Sequence, residues 1–418
     1  MYCERMKLSS LEISEIFKLK QFNLDFDHYC DSSLHAREGS LFFAFKGNRV
    51  DGHDFLDEVL CKGAKAAVVS HSYTGAHKGL ELIRVPCVNQ ALHTLAKYVL
   101  SKRDPLIIGV TGSVGKTSTK EFIATILSEK FSVFKTHESQ NSQVLLPLNL
   151  LNWMGNDEIL VLEMGVDRKG QLSKHIAYAR PHIAVLTKIG LSHSVNFSSI
   201  EEIAAEKCMI FKSDRLQFAF LNRDTKRFKA VKELSIPRLF YGESDLKTHF
   251  TEQHILENIG CAVAVARYLG VNDHLISEGI TSLNYIDKRG KRIIKKGIIF
   301  IDDSFNASPL SMIASLNAIP HSKRKIGIIG SMKELGSFEV KAHSDIARKA
   351  VKALDIVYCL GSECQVIVDL FNKFGKRGFL MNSISEILDN LRKTVTIDDV
   401  VLLKGSNVHR LWTVVEEF

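Results

Sequence analysis

The stretch GVTGSVGKTSTK, Gly109 to Lys120, joins an apolar run, Leu106-Ile-Ile-Gly-Val110, to a segment of helical character from Ser118 to Leu127. A strand, a glycine-rich turn and a helix in that order aim successive backbone N–H groups into one anion-binding turn. Gly112 and Gly115, on either side of Ser113 and Val114, allow backbone conformations and a close phosphate approach that larger residues resist. Lys116 can neutralise the outer phosphates, and the Thr117 hydroxyl suits a magnesium ion. The strict pattern G-x-x-x-x-G-K-[ST] fails at its first position, where Val110 stands. The physical arrangement survives that mismatch. A hydrolytic switch, a small-molecule kinase and an ATP-driven ligase all use such a loop, so it identifies the fuel and leaves the product open.

Outward from the loop, the chain reads as three α/β blocks, at 1–85, 86–286 and 287–418. In the first, strand-like runs at Ser40 to Phe45 and Ala64 to Val69 flank a polar turn and a helix from Asp54 to Cys61. The second opens with a helix at Ala91 to Val99, then the loop strand, then strands at Ile159 to Met164 and His182 to Ile189. The third alternates strands at 297–301, 325–329, 356–359 and 400–403 with helices at 312–318 and 342–352. Such alternation predicts doubly wound, largely parallel sheets with ligands at the carboxyl ends of the strands. Glu163 and His193 both fall at such ends, where a carboxylate can hold magnesium directly or through water.

The 418 residues exceed the size of one ordinary core, which agrees with several domains. With 45% hydrophobic and 24% charged residues the composition is that of a folded protein. The net charge of +8, from 55 Lys+Arg against 47 Asp+Glu, favours anionic partners without choosing among them. Its Lys/Arg pairs are scattered and lack a nucleic-acid-binding framework, so no nucleic-acid partner is expected. Eight cysteines, at 3, 30, 61, 87, 208, 261, 359 and 364, show no metal-ligand spacing, and no apolar run reaches membrane-spanning length. A reduced, cytoplasmic protein without a leader peptide is expected, acting as a monomer.

The motifs together resemble the Mur ligase family, across nearly the whole chain. Asp31-Ser32, Gly39-Ser-Leu-Phe42 and Asp51-Gly-His-Asp-Phe55 carry the resemblance in the first block; Thr111 to Ser118, Glu163-Met-Gly165, His193 and Ala204-Ala-Glu-Lys207 carry it in the second. Asp302-Asp-Ser-Phe-Asn-Ala-Ser-Pro309, Gly330-Ser-Met-Lys-Glu-Leu-Gly336 and Leu403-Lys-Gly-Ser406 carry it in the third. The resemblance implies a three-domain architecture: a UDP-sugar-binding N-terminal domain, a central P-loop ATPase-like domain and a Rossmann-like C-terminal domain. It further implies that Gly112, Ser113, Gly115, Lys116, Thr117 and Ser118 hold ATP, with His254, Asn258, Asp303 and Asn306 as further nucleotide contacts. Thr117, Glu163, His193 and a carbamylated Lys207 would serve magnesium, and Lys116, Glu163, His193 and Lys207 the catalysis. Asp31, Ser32, Asn141, Lys333, Glu334 and Lys404 would meet the substrates.

The segment 302–309 resembles the branch that joins D-alanyl-D-alanine to a UDP-N-acetylmuramoyl-tripeptide, making a cytoplasmic cell-wall precursor. That implies an acyl phosphate, made from ATP, which the dipeptide amine attacks as the domains close. Alternatives are a sibling ligase with another amino substrate, a kinase that would leave its phosphate on a small acceptor, and a basic nucleic-acid-binding protein. The chain departs from the family pattern at Ser33 for arginine, Lys188 for asparagine and Ser331 for aspartate. Glu138 to Leu145 keeps Asn141 but loses small residues, and the junction arginine is not singled out within Lys288-Arg-Gly-Lys-Arg292.

Overall fold

The computed structural model describes residues 8–47, 50–77, 79–153 and 155–418, so residues 1–7, the start of the N-terminal stretch 1–20 read for a leader, with Cys3 among them, lie outside the described residues. Three sheets follow one another along the chain. The first has four parallel strands in sequence order: β1 (His28–Cys30), β2 (Ser40–Phe43), β3 (Ala66–Ser70) and β4 (Glu81–Val85). The second has six, β5 (Leu106–Thr111), β6 (Val133–Lys135), β7 (Ile159–Glu163), β8 (Ile183–Leu186), β9 (Phe218–Asn222) and β10 (Arg238–Tyr241). Its order is β10-β9-β8-β5-β7-β6, all parallel, with the phosphate-loop strand in the interior. Three segments therefore leave side by side at its carboxyl edge, after Thr111, Glu163 and Leu186.

The third sheet runs β11 (Lys291–Lys295), β12 (Ile298–Asp302), β13 (Lys325–Gly330), β14 (Ile356–Leu360), β15 (Arg377–Met381) and β16 (Val400–Lys404), in the order β11-β12-β16-β13-β14-β15. Only β11 is antiparallel, pairing Lys291 with Asp302 through Lys295 with Ile298. The reversal between β16 and β13 makes a crevice at the strand ends, as doubly wound sheets do.

Alternation along the strands builds the cores. On β7, Leu160 and Leu162 face one core while Ile159 and Val161 face the other, and all are buried. Both faces of this parallel sheet are covered by helices, which is why its strands are apolar throughout. The first and second sheets share a core: Val68 and Ile83 join Leu160, Leu162 and Leu186 in it, bridged by Leu92, Leu95 and Val99 of the helix Val88–Arg103. That helix begins earlier than the expected Ala91. Likewise the helix expected from Asp54 starts at Leu56, after a 3-10 turn, Gly52–Phe55, in which Asp51 Oδ1 accepts from the His53 amide at 3.0 Å.

The β1 strand, the helix Ser10–Phe17 and the edge strand β11 had no counterpart in the sequence reading. Three residues are too few to show a period, and β11 mixes Lys291, Arg292 and Lys295 with two isoleucines, as an exposed edge can. The cysteines among the described residues are free thiols. No helix of the described residues is long and apolar enough to cross a membrane.

Candidate active site

The loop after β5 is pinned to the exit of β8. Ser113 donates its amide to the Lys188 carbonyl at 2.8 Å and its hydroxyl to the Gly190 carbonyl at 2.7 Å, while Thr187 Oγ1 donates to the Val114 carbonyl at 2.7 Å. At Gly112 a Cβ would stand 1.8 Å from Thr187 Oγ1, so no side chain fits. Gly115 has φ +84° and ends the turn as the residue before the helix Lys116–Leu127. The first N–H groups of that helix thus point into open space, toward the cavity.

That cavity measures about 1000 Å³ and is walled by the second and third sheets. Of the loop, Ser113, Gly115, Lys116, Thr117 and Ser118 line it; Gly112 lies behind. Thr117 donates its hydroxyl to Glu163 Oε2 at 2.7 Å, and Asn141 Nδ2 donates to Glu163 Oε1 at 2.5 Å. Burial draws the Lys116 ammonium below its ordinary pKa, against the charge of Glu163 and with that of Arg289. A bound polyphosphate would reverse that shift, since it brings opposite charge to the same place.

His193 also lines the cavity, but its Nδ1 meets Glu334 Oε2 of the third block at 2.5 Å. Burial lowers its pKa and Glu334 opposes the shift. The Val195 amide donates to the Glu334 carbonyl at 2.9 Å, so the contact is a short clasp between blocks. His254 and Asn258 line the cavity from the helix Gln253–Tyr268, with Asn258 Oδ1 accepting from Thr119 Oγ1 at 3.2 Å. Burial pulls His254 below its usual range.

From the third block, Asp303 pairs with the buried Lys404 at 2.9 Å, and Asn306 Oδ1 accepts from the Ala307 amide at 2.9 Å. All three line the cavity, as does Lys333, whose ammonium pairs with Glu363. Lys207 is 2% exposed and lies off the cavity wall. Burial, helped by the positive charge of Lys116, brings its pKa down to about 7. Asp31 and Ser32 are also off this wall, after β1; Ser32 Oγ accepts from the Leu34 amide at 3.3 Å, and burial raises the Asp31 pKa.

Sequence reasoning left the junction arginine unplaced, and the structure separates the two choices. Arg289 reaches the cavity, stacks 4.1 Å over the Phe305 ring and donates to Ser139 Oγ at 2.7 Å. Arg292 lines the cavity too, but there it pairs with Glu252 at 2.6 Å. Lys188, which stands where the family carries asparagine, is held by Glu257 at 2.8 Å and Asp224 at 3.2 Å. No spacing within residues 288–292 distinguishes the arginines, because their partners come from distant segments.

The family model "Mur ligase middle domain" matches residues 110–269, "Mur ligase, glutamate ligase domain" matches 288–407, and "Mur ligase family, catalytic domain" matches 32–99. A UDP-N-acetylmuramoyl-tripeptide--D-alanyl-D-alanine ligase of Borreliella burgdorferi is 27% identical over 98% of each chain. Among solved structures, the MurF ligase from Thermotoga maritima in complex with ADP is 29% identical, with a TM-score of 0.81 over 94% of this chain and 96% of that one. MurF from Acinetobacter baumannii superposes with a TM-score of 0.88 over 99% of each chain at 22% identity, which speaks for the fold. Three family models in series, on a chain whose phosphate loop, carboxylate and third-sheet cations face one cavity, lead to one conclusion: the chain belongs to the Mur ligase family.

Proposed function

We propose that this chain is an ATP-dependent, ADP-forming ligase that joins D-alanyl-D-alanine to the terminal carboxylate of a UDP-N-acetylmuramoyl-tripeptide in peptidoglycan precursor synthesis. The observation that carries the reading is convergence: the phosphate loop and Glu163 on one wall face Arg289, Lys333 and Lys404 of the third block on the other. The ligase of B. burgdorferi and the ADP-bound ligase of T. maritima support the substrates and the nucleotide. The blocks 1–85, 86–286 and 287–418 then hold the UDP-sugar, the ATP and the incoming dipeptide, with Asp31 and Ser32 facing the first of these.

Magnesium fits the residues present. Thr117 and Glu163 offer adjacent hard oxygens, and among the described residues no cluster of three or more His, Cys, Asp or Glu forms a closed cage. That donor set suits an ion that keeps waters and binds phosphate oxygens. When bound, it would neutralise charge on the transferring phosphoryl group. Lys207, drawn to about 7, has a substantial neutral fraction near neutral pH and can combine with carbon dioxide to give a carbamate.

Amide formation from a carboxylate in water is uphill. The chain's residues hold the terminal phosphate of ATP against the donor carboxylate: Lys116 and the loop amides grip the phosphates, and Arg289 reaches the same space from the opposite wall. Phosphoryl transfer gives an acyl phosphate and ADP. The unprotonated dipeptide amine attacks its carbonyl carbon, the C–N bond forms, and phosphate leaves with the C–O pair while the amine loses a proton to solvent or base. Closure through the His193–Glu334 clasp brings the reactants together and keeps water from the acyl phosphate.

The test is a coupled assay of ADP with mass detection of product, supplying ATP, magnesium, the UDP-tripeptide and D-alanyl-D-alanine. Amide product that requires all four is expected. Product with a single amino acid in place of the dipeptide would move the chain to a sibling specificity, and stable phosphorylation of an acceptor without amide would overturn the ligase reading.

A further inference from the structure

Lys120 sits one turn past Thr117 on the helix Lys116–Leu127 and is 0% exposed. A lysine ammonium has three donors and no acceptor. Here it meets the Thr136 carbonyl at 2.5 Å, the Glu138 carbonyl at 2.6 Å and Glu121 Oε1 at 3.0 Å. Glu121 is shared with Lys135 on β6. Taking an ammonium out of water is costly unless such partners are all in place, and a packed aliphatic side chain would serve stability as well. Lys120 does not line the cavity, so its purpose is to be sought in what it holds.

It holds the segment between β6 and the helix Leu145–Leu151. There Glu138 takes φ +43°, in the left-handed region. Immediately after it, Ser139 Oγ lies 3.2 Å from Thr117 Oγ1 and accepts from Arg289, and Asn141 donates to Glu163 and accepts from the Gly165 amide at 3.1 Å. The Thr136 hydroxyl accepts from the Glu163 amide at 3.1 Å. One ammonium thus clips two carbonyls of the turn that leads into Ser139 and Asn141, which face the phosphate-loop threonine, the carboxylate and the arginine from the third block.

We infer that Lys120 is a positioning residue of the ligase reaction, acting through residues 136–141 to set Ser139 and Asn141 against Thr117, Glu163 and Arg289. The inference rests on the ligase reading above for its kinetic arm only.

The experiment compares wild type, Lys120→Met, Asn141→Ala and the double variant, by ADP calorimetry, steady-state kinetics and thermal unfolding. ADP affinity in Lys120→Met is expected to stay within about threefold, since the loop amides and Lys116 are untouched, while kcat falls about 10- to 100-fold. Adding Asn141→Ala to Lys120→Met should cost less than about twofold more, because both changes act on one loop. Fully multiplicative losses, or ADP affinity falling in step with kcat and Tm, would overturn the inference. Should Lys120→Met not fold, Lys120→Gln, which keeps an N–H donor for one carbonyl, carries the same cycle. Hydrogen exchange supplies the second arm: amides at 137–141 should exchange faster in the folded variant than in wild type, with the rest of the second sheet unchanged. Unaltered exchange there overturns the inference whatever the wild-type activity, whereas a wild type that binds ADP but forms no amide counts against the ligase reading alone.

Discussion

Arg289, at the head of the third block, donates through Nη2 to Ser139 Oγ at 2.7 Å, and that same hydroxyl lies 3.2 Å from Thr117 Oγ1. An arginine from one block and the phosphate-loop threonine of another therefore share one serine. Arg289→Met is expected to lower kcat/KM by about 100-fold or more, as loss of a donor aimed at developing charge does. Lysine in its place should recover little, because it lacks the planar fork. The coupled ADP and amide assay reads this; an Arg289→Met enzyme with wild-type kcat/KM would remove Arg289 from the site.

The Thr117–Glu163 pair gives a second expectation. Glu163→Gln keeps the size of the side chain and its place beside Asn141 but loses the charge. The magnesium concentration for half-maximal activity should rise about 10- to 100-fold, with a smaller rise for Thr117→Ser than for Thr117→Val. Magnesium titrations at saturating ATP check it, and an unchanged midpoint in Glu163→Gln would place the ion elsewhere.

The carbamate proposed at Lys207 implies a pH dependence. Its pKa of about 7 is well below that of an exposed lysine, through burial and then Lys116. Only the neutral amine takes up carbon dioxide, so at limiting bicarbonate activity should rise from about pH 6 to about pH 8. The stability sign follows the same shift: the unfolded chain binds the proton more tightly, so the cost of burying Lys207 is greatest below about pH 7 and eases as pH rises toward the unfolded value. Labelled bicarbonate should give a carbamate 13C resonance that Lys207→Arg abolishes. Absence of that resonance at pH 8, with activity indifferent to bicarbonate, would exclude the modification.

At Gly112 the expectation is steric. Gly112→Ala would push a methyl to 1.8 Å from Thr187 Oγ1 at a φ of +152°. ADP affinity should fall at least about tenfold as the turn is forced open. Adding Thr187→Ala should return only part of the loss, because it relieves the clash and leaves the backbone strain. Calorimetric ADP binding on folded variants decides; full recovery would assign the whole effect to the clash.

Much of the fold could be read ahead of the structure where its causes are local. The runs at 106–110, 159–162 and 326–329 carry no polar side chain on successive residues because both sheet faces are buried, and that pattern is visible without partners. The β1 strand, with three residues, and β11, with its lysines on an exposed edge, lack such a pattern and could not be seen. Within the site, the phosphate loop and Glu163 were found because strand ends at one sheet edge are a topological expectation. Lys120 passed unnoticed, since a lysine four residues after Lys116 on a helix reads as a solvated charge, and only the packing of β6 against that helix buries it.

The sequence by itself determined the strand–glycine turn–helix, the serial α/β blocks and the supply of charges at strand ends. These depend on backbone conformation, residue period and spacing over a few positions. The tertiary structure alone decided which charges meet: Arg289 rather than Arg292 on Ser139, Glu334 rather than Glu163 on His193, and two carbonyls of a distant loop on Lys120. Arg289 and Ser139 are 150 residues apart, and their meeting depends on strand order, helix packing and the docking of the third block, which no local spacing encodes.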